Sequence, residues 1–182
     1  MLRKAHARNT AKGLLKQLGI QKAPVNLDRI INKLSTTNLK QLQGLNIEVV
    51  RQDFQGDLKD VSAILIKEKR KAVIAVNADH TDTRQRFSIA HELGHLILHS
   101  NTENLKIEKQ FFTRSDSVRS LDELEANEFA AELLMPEELI INDFFKKVIE
   151  DEDSVISVLA KKYKVSEAAL TYRLINLNLL EP

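Results

Sequence analysis

"RQRFSIAHELGHLILH", residues 84–99, decides how the chain is read. Apolar side chains surround this helical stretch: Phe87, Ile89, Ala90, Leu93, Leu96, Ile97 and Leu98. A helix that is apolar on every side belongs in a core. Yet its middle carries His91, Glu92 and His95. Buried imidazoles and carboxylates are costly unless something pairs with them. Helical residues four apart lie on one face, roughly 40° apart in projection and ~6 Å apart in rise. His91 and His95 can therefore converge on a single cation.

The pattern His-Glu-x-x-His suits zinc, which takes nitrogen and carboxylate ligands in a tetrahedral arrangement. A catalytic zinc site uses three protein ligands and leaves a fourth position to water. Glu92, beside the first histidine, is the expected general base for that water. A third ligand is needed. No histidine follows at the ten-residue spacing, since position 101 is Asn. The helical stretch "LDELEANEFAAELLMP" supplies acids instead, with Glu123 and Glu125 as candidates. Glu123 is the expected ligand, because Asn127 shares its face one turn on and suits the orienting of a liganding imidazole. Glu125, Glu128 and Glu132 are expected on solvated helix surface. His99 reads as a helix-end or packing histidine and His80 as a surface one. Gly94 costs a helix about 1 kcal/mol relative to Ala, so a closely packed neighbour is expected there.

Composition narrows the rest. The chain has 182 residues, which suits one domain with at most a small subdomain. Its hydrophobic fraction of 43% supports a core, and 27 basic residues nearly balance 26 acidic ones. A net charge of +1 exerts no global pull on nucleic acid or anionic membrane. There is no cysteine, which excludes disulfides, thiolate metal sites and a thiol nucleophile. The basic N-terminus lacks the apolar core of a secretory signal. No apolar run approaches the ~20 residues of a membrane span. A cytoplasmic location is the expectation.

Residues 1–20 read as a helix. "APVNLDRIINKLS" reads as a second, capped by Asn26. The period then changes to short β-branched runs at 46–50, 61–67 and 72–77, the last two joined by the charged turn "KEKRK". They predict a small, mostly antiparallel sheet. Asp82 with Gln85 resembles a capping box at the start of the central helix. Residues 100–120 are polar around Phe111 and Phe112 and read as a long loop able to cover the site. "EELIINDFFKKVIE" is amphipathic, and the tail reads as two short helices turning at 163–165, with Ser166 capping the second. The expected architecture is α+β. Residues 1–150 would form the metal-binding domain, and 151–182 a helical hairpin packed on it.

"AVNADHTDTRQRFSIAHELGHLILH" followed by "ELEANEFAAELLMP" resembles the ImmA/IrrE family of zinc metallo-endopeptidases. The tail "LAKKYKVSEAALTYRLINLNLL" is similar to that family's C-terminal helical, helix-turn-helix-like region. The resemblance implies a gluzincin-like arrangement, with His91, His95 and Glu123 at the zinc-ligand positions and Glu92 at the catalytic one. It also implies a protein substrate, an Xre-like helix-turn-helix repressor, whose cleavage derepresses genes of a DNA-damage response or a mobile element. The competing reading is a DNA- or protein-binding module with a structural or vestigial zinc site. The last helix of the tail carries only Arg173 as a basic residue, and DNA affinity rests on phosphate neutralisation, so direct nucleic-acid binding is not expected.

Overall fold

The computed structural model describes residues 2–34, 36–37, 39, 42–99, 121–150 and 154–181. The expected loop at 100–120, with Phe111 and Phe112, lies outside them. Helices α1 (Leu2–Gln17) and α2 (Leu27–Leu34) come first, followed by strands β1 (Asn46–Gln52), β2 (Ala63–Lys67) and β3 (Lys71–Asn77). Helices α3 (Asp82–Leu98), α4 (Leu121–Leu134), α5 (Glu137–Ile149), α6 (Val155–Tyr163) and α7 (Glu167–Asn176) complete an α+β architecture.

The three strands form one sheet in the order β1-β3-β2. The charged turn closes β2 onto β3 as an antiparallel hairpin, with Ile64 opposite Ala75. β1 instead pairs parallel with β3, Val49 lying opposite Ile74. The sheet is therefore mixed, where mostly antiparallel pairing was expected. The reason is a crossover through residues 53–62, which carries the chain past β3 before the hairpin returns it to the middle. Asn77 at the end of β3 anchors that crossover by donating from Nδ2 to the carbonyls of Lys59 and Val61, at 2.9 and 3.1 Å.

α3 lies against this sheet on one side and α4 on the other, and α1 packs outside α4. Its buried residues run from Ile89 to Ile97 without a break, as an all-round apolar helix requires. The turn into α3 is held by Gln85, whose Nε2 donates to the carbonyls of Ala78 and His80 at 3.2 and 2.7 Å. Its Oε1 accepts from Arg51 on β1 at 3.2 Å. Gln85 thus ties sheet to helix and does not close the expected capping box. The helix cap is Thr81, one residue before Asp82, whose side chain accepts from the Arg84 amide. Asn26 and Ser166 cap α2 and α7 as expected, accepting from the Arg29 and Ala169 amides.

Gly94 sits where α3 meets α4. A Cβ there would lie 3.1 Å from the Cα of Ala126 and 3.2 Å from its carbonyl oxygen. The helix tolerates glycine because the α4 backbone fills the space a side chain would occupy. That close approach brings the first turn of α4 over the histidines of α3.

Candidate metal centre

His91 and His95 project from one face of α3 with their Nε2 atoms 2.9 Å apart. Glu123, in the first turn of α4, reaches both: Oε2 lies 3.3 Å from His91 Nε2, and Oε1 lies 3.2 Å from His95 Nε2. The two rings are buried and edge-on, with centroids 4.6 Å apart. Asn127, one turn beyond Glu123, places its Oδ1 2.9 Å from His91 Nδ1. An amide oxygen only accepts, so His91 carries its proton on Nδ1 and turns the lone pair of Nε2 toward Glu123 and His95. Burial alone would raise the Glu123 carboxyl, but the adjacent His91 and His95 imidazoles outweigh it and hold the group well below the usual carboxylate range. It stands as an anion facing two nitrogen donors.

The spacing of these atoms fits a bound ion. Zinc bonds of ~2.0–2.1 Å in a tetrahedron put ligand atoms roughly 3.3 Å apart. The observed separations of 2.9, 3.3 and 3.2 Å lie near that edge length, so His91, His95 and Glu123 could hold a metal ion. Two nitrogens and one carboxylate make up the donor set of a zinc-class site with an open position. Glu92 follows His91 on α3 and is buried, with its side chain in the same interior.

The acids of α4 depart from expectation. Glu125, Glu128 and Glu132 read as solvated surface, yet all three are at least half-buried and face basic side chains. Glu125 faces His99 at 3.2 Å and Glu128 faces Lys4 at 3.2 Å. Glu132 is 1% exposed and receives a charge-assisted hydrogen bond from Arg173 on α7. The physical reason is that α4 lies between α3 and α1 and has no broad solvent face. Arg173, the basic residue weighed for DNA contact, is 2% exposed and also donates to the Met135 carbonyl at 3.2 Å. It is unavailable to a phosphate. A long-range pair of this kind has no local sequence signature, because Glu132 and Arg173 meet only when α7 folds back on α4. His80 is half-buried at the turn before α3. Among the described residues, no helix is long and apolar enough to cross a membrane.

Comparisons with known proteins bear on this geometry. A family model described as an IrrE N-terminal-like domain, of the peptidase class, matches residues 42–175. The chain is 33% identical over 116 residues to an uncharacterized immunity region protein of Bacillus phage phi105. That alignment takes in 61% of this chain and 66% of the relative, so the chain spans just under two thirds of the relative's length. A solved Mycobacterium tuberculosis transcriptional regulator superposes with a TM-score of 0.57 at 19% identity, over 93% of this chain and 46% of that one. At that identity the likeness concerns the fold alone. The family match runs through His91, Glu92, His95 and Glu123 and takes in most of the chain, and the protein accordingly belongs to the ImmA/IrrE family, with a metallopeptidase-like domain.

Proposed function

We propose that the protein is a zinc-dependent endopeptidase in which His91, His95 and Glu123 hold the metal and Glu92 is the general base. The observation that carries this reading is the convergence of three side chains from two helices, with His91 and His95 Nε2 2.9 Å apart, Glu123 Oε2 3.3 Å from the first and Oε1 3.2 Å from the second. Bound there, zinc would act as a Lewis acid on a scissile carbonyl and lower the pKa of a water to about 7. Glu92 takes the proton from the attacking water and returns it to the leaving amine. Asn127 fixes the His91 ring. The buried surroundings keep bulk water from competing for the Glu92 carboxylate. β2, at one edge of the sheet and in contact with α3, offers backbone groups to an extended substrate segment.

The substrate we assign is a helix-turn-helix repressor, cleaved to derepress its genes. Support comes from the family resemblance and from a relative named for a phage immunity region. The test is incubation of the zinc-loaded chain with a repressor encoded beside its gene, followed by mass spectrometry of the fragments. A discrete internal cut, lost in Glu92→Gln with zinc retained, is the expected result. Equal cleavage by that variant overturns the base assignment. An intact repressor at equimolar enzyme overturns the substrate.

A further inference from the structure

One helical turn beyond the first centre lies a second group of metal-binding side chains. His99 follows His95 by the same four residues that separate His95 from His91, and the His95 and His99 rings are 5.3 Å apart. Its Nε2 lies 3.2 Å from Glu125 Oε2. Asp122 completes the group, with one donor atom from each of the three residues lying within 4.8 Å of the others. The side chains of His99 and Glu125 are only 10% and 12% exposed.

A first helical turn favours acids in any protein. That preference does not explain why two carboxylates three residues apart converge on a buried imidazole at the end of another helix. Like charges at this spacing oppose each other, more so where water is scarce. Arg3 lies 3.9 Å from Asp122, at a largely exposed position. A dication between the three groups neutralises both carboxylates and uses the imidazole as a donor.

We infer that His99, Asp122 and Glu125 form a second divalent-cation site beside the first. The imidazole selects a zinc-class ion over calcium, magnesium or manganese, which are better suited by oxygen ligands. The site binds more weakly than the first, because it has one imidazole where the first has two, and because its Asp122 side chain is 40% exposed. Occupation joins the C-terminus of α3 to the N-terminus of α4, on either side of Glu123. The inference stands apart from hydrolysis, since it concerns binding alone.

Titration of the metal-free full chain with zinc alone, with ions counted by native mass spectrometry and affinities taken by calorimetry, tests it. Wild type takes up two ions, the second roughly tenfold or more weaker than the first. His99→Ala and the near-isosteric Glu125→Gln each keep the tight ion and weaken the other by about ten- to a hundredfold. His91→Ala loses the tight ion and keeps the weaker one. A single ion in wild type, abolished by His91→Ala, overturns this inference and leaves the proposed hydrolase standing. A second ion unaffected by both His99→Ala and Glu125→Gln also overturns it. No bound ion at all overturns both.

Discussion

Asn127 contributes no donor to the proposed ion, yet the orientation of His91 depends on it. Its oxygen lies 2.9 Å from His91 Nδ1 and selects the tautomer whose Nε2 faces Glu123. Removing such an orienting partner weakens a metal site by about ten- to a hundredfold. Asn127→Ala should do so in a competition titration against a chromophoric chelator. An unchanged affinity would mean that packing alone holds the ring. Gly94 acts at the same scale by sterics. Gly94→Ala gains about 1 kcal/mol of helix propensity. Its Cβ, however, would press on Ala126 backbone atoms at 3.1 and 3.2 Å and on the Phe129 ring at 3.3 Å. α4 must yield, and Glu123, one turn before Ala126, moves with it. The expected result is weaker zinc binding with thermal stability little changed. Tighter zinc binding would contradict it. His91, Glu92 and His95 were legible in the sequence because a four-residue spacing on an apolar helix leaves few other uses for them. Glu132 was not, because its burial is decided by a helix 41 residues away in sequence.

Among the elements, α3 was legible from periodicity, and the β2–β3 hairpin from its charged turn. The parallel pairing of β1 with β3 was not, since short β-branched strands do not encode which neighbour they join or in which direction. The start of α3 was misplaced by one residue because Thr81, Asp82 and Thr83 are all capping types and only the folded turn chooses among them. At the other end of the chain, Tyr163 closes α6 onto α5. Its hydroxyl donates to Asp143 Oδ2 at 2.6 Å, while Lys162 meets the other oxygen at 2.6 Å. Burial, and then the Asp143 carboxylate, push the Tyr163 phenol well above its ordinary value. A raised folded-state pKa stabilises the fold fully below the unfolded value of about 10, and that contribution is lost as pH rises beyond it. Denaturant midpoints should therefore fall between pH 10 and 11.5, and Tyr163→Phe should flatten that fall. An equally steep decline in the variant would place the alkaline-sensitive group elsewhere.

At the scale of the whole molecule, the Arg173–Glu132 pair joins the last helix to the one that carries Glu123. Glu132 also accepts the Glu137 amide at 3.0 Å, so one carboxylate ties α4, α5 and α7 together. Removing one partner of a buried pair costs about 3–5 kcal/mol, because the other charge is left uncompensated. Arg173→Met should lower stability by that amount in urea titrations. A chain ending at residue 150 should be less stable still, which would make residues 151–182 part of one folding unit with the rest. A truncated chain as stable as the whole would instead make the tail a separate piece. The central claim is that two imidazoles and one carboxylate grip a single ion. Zinc-edge X-ray absorption on the chain loaded with one equivalent tests it most directly. The expected spectrum has two imidazole nitrogens and carboxylate oxygen at about 2.0–2.1 Å, with imidazole scattering lost in the double variant His91→Ala, His95→Ala. An oxygen-only shell, or one unchanged in that variant, would contradict the account.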